Sequence, residues 1–297
     1  MHEFLAVAAD VAVPALFAGV VAILATVAVE RLGGLAGGVL SSIPTTIVPF
    51  AVGSYGRNPD VDEFRRAMAF VPVGILLNAL YLVLWRVVPA RVGRRTRSHL
   101  LAWTVAITLG AWIVIATSIV ALHDAVRPTV AQSLALGITA FFAGICLGIA
   151  ANRTPHPAPK GARRVGAGVL VARGLAAAIV IGLALVLARA KLPVASGIAS
   201  VFPVIFTTIM VATWLAQGAH VPTGSVGPMA LGTLSVSAFA LLATALFPLM
   251  HVALAASLAW VLAIACVSVP AYFFLRARRA APHPARDDAA PTDAGAR

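Results

Sequence analysis

Two short stretches of this 297-residue chain set hydroxyl residues, glycine and proline together inside apolar sequence. They are Gly38-Val39-Leu40-Ser41-Ser42-Ile43-Pro44 and Gly197-Ile198-Ala199-Ser200-Val201-Phe202-Pro203. Proline has no amide hydrogen and displaces the carbonyl four residues before it. Glycine lets a neighbouring backbone come close, and serine or threonine can refill the freed bonds. A helix written this way is locally broken. Inside a membrane, the freed amides at such a break favour an anion and the freed carbonyls a cation, so the chemistry on offer is binding rather than bond making.

The spacing converges on faces. Ser41 and Thr45 lie four apart with Pro44 beside them, and Ser196, Ser200, Pro203 and Thr207 follow helical steps. Asn78 shares a face with Gly74 and Tyr81 near the centre of another apolar run, and Ser237 shares a stripe with Thr233 and Thr244. A midplane amide needs a partner, either a solute or another helix, because an unsatisfied one in hydrocarbon costs several kcal/mol. The candidate solute-binding set is therefore Ser41, Pro44, Thr45, Asn78, Ser196, Ser200, Pro203, Thr207 and Ser237. For any one hydroxyl the competing explanation is plain helix-to-helix glue. Asp10, four residues before Pro14, is a candidate for touching a coupling ion if the first span starts early enough to bury it.

Other chemistries lack their residues. His123 with Asp124, His220 and His251 form no metal-ligand spacing such as HxxxH. There is no phosphate-binding P-loop, no GxSxG elbow and no cluster of catalytic carboxylates. The sequence implies no cofactor, no metal and no enzyme. Cys146 and Cys266 each sit in an apolar run, where a thiol acts as a small hydrophobe. The central parts of the second, third, seventh and eighth apolar runs hold no Asp or Glu, which argues against proton coupling through a central carboxylate.

The elements that must carry these residues are set by composition. The chain is 61% hydrophobic and 11% charged, with a mean hydropathy of +0.97, so its main solvent is lipid. Apolar runs of about 20 residues recur, enough to cross roughly 30 Å of hydrocarbon at about 1.5 Å per residue, and they lack the alternation of a barrel strand. The expected fold is an all-α polytopic membrane protein with nine spans, at about 11–30, 33–55, 67–88, 99–122, 129–151, 166–189, 193–216, 223–248 and 251–275. The first run lacks a basic leader and a cleavage signal and reads as a retained helix.

Charge sets the orientation. Basic clusters occur at Arg86, Arg91, Arg94, Arg95 and Arg97, at Arg153, Lys160, Arg163, Arg164 and Arg173, and from Arg276 onward. Placing these inside leaves the amino terminus outside and the carboxyl terminus cytoplasmic, with 16 of the 22 Lys and Arg on the cytoplasmic side of the plasma membrane, the inner membrane in a bacterium. The net charge of +12 is thus a topology signal, with the lipid bilayer as the partner and nucleic acid excluded. Residues 1–151 form the first membrane unit, 152–165 a basic cytoplasmic linker, 166–275 the second unit and 276–297 a disordered tail.

The two units look duplicated. Pro44 maps onto Pro203 at an offset of 159 residues, and the same offset carries Pro89 onto Pro248 and Asn78 onto Ser237. Five spans reverse direction, so helices 1–4 and 6–9 are expected to be inverted repeats with helix 5 unpaired and helices 2 and 7 broken. The plan resembles, in general layout only, transporters made from two inverted five-helix units. The expected function is a secondary transporter or facilitator of a small neutral or anionic organic solute, with or without a coupling ion. The alternatives are a membrane-embedded lipid-handling enzyme and a structural membrane subunit.

Overall fold

The computed structural model describes residues 2–32, 43–56, 60–92, 99–153, 166–218 and 220–280. The described residues are helical throughout, joined by turns and without strands. In chain order the helices are α1 (His2–Leu32), α2 (Ile47–Tyr55), α3 (Val61–Val92), α4 (Leu100–Val126), α5 (Val130–Ala151), α6 (Ala167–Arg189), α7 (Pro193–Ala199), α8 (Val204–Gln217), α9 (His220–Gly232), α10 (Leu234–Leu246), α11 (Val252–Ala263) and α12 (Val269–Ala280), with a π-helical turn, Ile264–Ser268, joining the last two. A helix satisfies its own backbone, which is why apolar sequence of this length adopts it in lipid.

Seven helical stretches among the described residues are long and apolar enough to cross a membrane: Val61–Val92, Leu100–Val126, Val130–Ala151, Ala167–Arg189, Pro193–Leu215, Thr223–Leu246 and Val252–Arg278. They coincide within a few residues with the third to ninth expected spans, and the chain is consistent with a polytopic membrane protein. The first expected span, 11–30, lies within α1, a continuous helix from His2 to Leu32. The first part of the second expected span, 33–42, lies outside the described residues, and its remainder carries the short helix α2. Most of the linker and the chain beyond Ala280 also lie outside the described residues. The helix of the last span runs through Ala280, so residues 276–280, expected in a disordered tail, are helical.

Helix α3 is the hub. Some 78% of its apolar window is buried, against 17% for α4 and 22% for α5, so α4 and α5 form the periphery. The exposed faces of α4, α6 and α11 carry Trp103, Ile113, Val114, Leu175, Ile179 and Leu254, a surface that suits lipid and not water. Along α3 the core forms two clusters. Phe64, Met68, Val71 and Ile75 pack with Phe50, Leu185, Phe239 and Phe247, and further on Leu77, Tyr81, Leu82 and Trp85 pack with Trp112, Ile198, Met210 and Val226.

The hub helix is capped and stapled. Asp60 Oδ1 accepts the amides of Asp62 and Glu63 at 3.0 Å each, an N-cap that fixes where α3 starts. Arg65 Nε donates to the Thr244 carbonyl at 3.3 Å and Arg66 Nη1 to that of Pro128 at 3.0 Å. At the other end Arg86 Nε donates to the Thr223 carbonyl at 2.9 Å and Nη1 to Ala151 O at 2.7 Å, tying the last turn of α5 to α9. At Ala151 the guanidinium satisfies a carbonyl that the end of α5 leaves open, and its charge suits that end of the helix dipole. Arg86→Met is expected to lower stability by about 2 kcal/mol, and Arg86→Lys to recover only part of it, because an ammonium cannot span both carbonyls with a planar fork. Thermal denaturation in detergent measures this, and a wild-type melting temperature for both variants would contradict it.

Glycines set how closely the helices approach α3. A Cβ on Gly197 would run into the carbonyl oxygen of Ala67, and one on Gly137 into that of Ala69. The backbone of α3 is therefore gripped on two sides within one turn, by α7 and by α5. On α5 the buried face is Ser133, Gly137, Ala140, Gly144 and Gly148, a run of small residues that lets two helices meet backbone to backbone.

Candidate functional site

The break expected in the seventh span is present, and its geometry follows from Pro203. Helix α7 ends at Ala199 and α8 begins at Val204. Between them Val201 N bonds Ile198 O at 3.2 Å and Phe202 N bonds Ala199 O at 3.0 Å, tightening the last turn to an i→i+3 pattern. The Ser200 hydroxyl donates to Gly197 O at 2.7 Å, and the Pro203 carbonyl takes both the amide and the hydroxyl of Thr207, at 2.9 and 2.6 Å. The carbonyl of Val201 lies in the interrupted segment and is met from another helix: Asn78 Nδ2 donates to it at 2.7 Å.

Asn78 is 1% exposed and is held at its other end too, since the indole Nε1 of Trp112 donates to Asn78 Oδ1 at 2.9 Å. The Trp112 ring stands edge-on to Phe202 at 5.0 Å, covering the break. One helical turn along α3, Tyr81 Oη lies 2.8 Å from Thr207 Oγ1. The Thr207 hydrogen is committed to Pro203, so Tyr81 is the donor in that pair. Gly74 completes the face, because a Cβ there would collide with Val201. Asn78, Tyr81, Trp112, Ser200, Pro203 and Thr207 thus make a charge-free set of hydrogen bonds around a broken helix.

The remaining expected site residues are placed as follows. Ser196 is fully buried one turn before Ser200, and its hydroxyl has no hydrogen-bond partner. Ser237 on α10 is likewise fully buried and unpartnered. Pro44 is buried and Thr45 half-buried just ahead of α2, with the Thr45 amide on Ile43 O at 2.7 Å. Ser41 lies outside the described residues. Asp10 is half exposed at the far end of the bundle from Arg86, where its Oδ2 is 3.4 Å from Arg189 Nη2. It is an ion pair there, away from the break.

The sequence reading did not name Trp112. Its signal was a tryptophan at the middle of an apolar span instead of at the membrane interface, where an indole N–H finds water. A midspan indole needs an internal acceptor, and Asn78 supplies it. Two further irregularities were also unforeseen: the 3₁₀-like step at Thr233 between α9 and α10, where Val236 N bonds Thr233 O at 3.0 Å, and the π-helical turn at Ile264–Ser268. Comparison with protein-family models, with curated proteins and with solved structures gives no match to this chain.

Proposed function

We propose that this protein is a secondary transporter or facilitator that carries a small neutral or anionic organic solute by alternating access around the broken seventh span. The observation that carries this reading is the bond from Asn78 to the Val201 carbonyl. A backbone group freed in the middle of a membrane helix is held by a side chain of a neighbouring helix, not by its own, so the helix can be released from α3 and recaptured. The hydroxyls of Ser196, one turn before Ser200, and of Ser237 on α10 are buried without partners, and a solute hydroxyl, amide or carboxylate would complete them. No charge occupies the set of hydrogen bonds around the break, which suits an uncharged solute or an anion held by hydrogen bonds.

The inverted repeat belongs to the same proposal, as do the nine-span count and the amino-terminus-out orientation. Three features support it. The two most buried spans, Val61–Val92 and Thr223–Leu246, are those equated by the 159-residue offset. Helices α1 and α6, equated by the same offset, pack antiparallel. A Cβ on Gly19 would lie 3.3 Å from Ala178 Cβ, its own counterpart, while Gly182 faces Ala15 and Gly174 faces Ile23 on either side of that point. Lastly, Arg65 with Thr244 and Arg86 with Thr223 tie α3 to the eighth span at both ends. Contacts centred on equivalent positions are what a pseudo-twofold axis in the membrane plane requires.

Flux tests the proposal. Reconstituted into liposomes, the protein should exchange at least one labelled solute from a panel of sugars, polyols, amino acids and organic acids, and Asn78→Leu should abolish that exchange in correctly folded protein. Absence of flux across the panel, or unchanged flux in Asn78→Leu, would contradict it and leave a structural membrane subunit as the better reading.

A further inference from the structure

A cleft of about 280 Å³ opens at the end of the bundle that holds Asp10, between the last turn of α2, the first turn of α3 and the turn joining α6 to α7. Ser54, Asp60, Glu63, Phe64, Lys191 and Pro193 line it, and Ala67, whose carbonyl abuts Gly197, lines it as well. The cleft thus reaches the contact that seats α7 against α3, one turn ahead of Ser200. It lies below the range of drug-sized pockets, which begins at roughly 300 Å³, so its occupant is small.

Both signs of charge meet in it. Asp60 is fixed by capping α3 through Oδ1. The Glu63 carboxylate is half-buried, and among the described residues it has neither an ion pair nor a side-chain hydrogen bond. Lys191 sits in a left-handed conformation, φ 57°, at the end of the α6 turn, also without an ion pair among the described residues. The neighbouring Arg189 is committed to Asp10. Phe64 gives the cleft a rigid apolar side, stacked on Phe247 at 5.1 Å and edge-on to Tyr55 at 4.9 Å.

We propose that this cleft binds a small zwitterion, an amino acid or amino-acid-like solute, with its ammonium group on Glu63 and its carboxylate on Lys191. Two carboxylates repel a bare anion and the lysine repels a bare cation, whereas a solute carrying both groups pairs each charge. Such a solute is neutral overall. The role of the cleft as the outer vestibule of a transport path rests on the reading above, but the binding does not.

Calorimetry on the purified full-length chain tests it, with the twenty standard amino acids and γ-aminobutyrate as probes and butylamine and butyrate as single-charge controls at equal concentration. At least one zwitterion should bind while both controls fail. Glu63→Gln and Lys191→Met, at positions outside the packed core, should each weaken binding about tenfold or more, and Lys191→Met should gain affinity for butylamine. Failure of every zwitterion, equal binding of a control, or unchanged affinity in both variants would overturn the site. The two proposals separate cleanly: zwitterion binding lost in the variants but without flux supports this cleft and contradicts transport. Flux of a solute with no zwitterion binding does the reverse.

Discussion

Gly197→Ala destabilises the protein by about 1–3 kcal/mol, whereas Gly110→Ala is neutral or stabilising by up to about 1 kcal/mol. Both glycines lie in helices, so intrinsic helix propensity favours alanine at each. What differs is the space. A Cβ at Gly110 meets nothing within 4 Å, while at Gly197 it drives into the backbone carbonyl of Ala67, which cannot rotate away as a side-chain tip would. Helix α7 must back off from α3, and because Val201 and Asn78 lie just beyond that contact, their 2.7 Å hydrogen bond stretches with it. On the proposed transport function, solute exchange should fall along with stability. Melting temperatures of the two variants, measured side by side in one detergent, check this. Equal shifts would show that the approach of α7 to α3 is not limited by that glycine.

Asn78→Leu has the second large effect, and its form matters as much as its size. The substitution keeps the volume but strands two buried groups, the Val201 carbonyl and the Trp112 indole N–H, at about 1–3 kcal/mol each, less where the unfolded state in lipid finds other partners. Trp112→Phe alone strands only Asn78 Oδ1. In the double variant the Trp112–Asn78 pair is gone from both sides and only Val201 remains unsatisfied. The two losses should therefore be less than additive, by about 1 kcal/mol in a double-mutant cycle. Strict additivity would mean that the indole and the amide do not interact in the folded protein.

Much of this was legible before any coordinates. The seven long apolar helices from Val61 onward follow from length and hydropathy alone, since lipid forces helices on apolar runs of that size. The break before Pro203 follows from its missing amide. The need of Asn78 for a partner follows from the cost of a bare amide in hydrocarbon, and in this conformation both ends of the amide are held by protein groups, the Val201 carbonyl and the Trp112 indole.

Other features were hidden for physical reasons. Hydropathy cannot separate the hub α3 from the peripheral α4, because a side chain facing lipid and one facing protein are equally apolar. The pairing of Trp112 with Asn78 joins residues on different helices, and no periodicity along one helix encodes it. The partner of Asp10 was hidden too, because Arg189 lies far along the chain and only the packing of α6 on α1 brings it near. The π-helical turn in the ninth span has no proline or glycine within it to announce it.

Alternating access makes one demand that packing alone does not. Ser200 is 4% exposed in this conformation, yet a residue at the moving break must face water from each side of the membrane in turn. The direct measurement uses Ser200→Cys in a background where Cys146 and Cys266, both exposed on the outer surface of the bundle, are replaced by serine. Membrane-impermeant thiol reagents are applied from either side of sealed vesicles. A transporter of this design shows labelling from both sides, with reagent bound from one side blocking reaction from the other. A thiol that reacts from neither side, or from one side only under every condition, would contradict movement at the broken span.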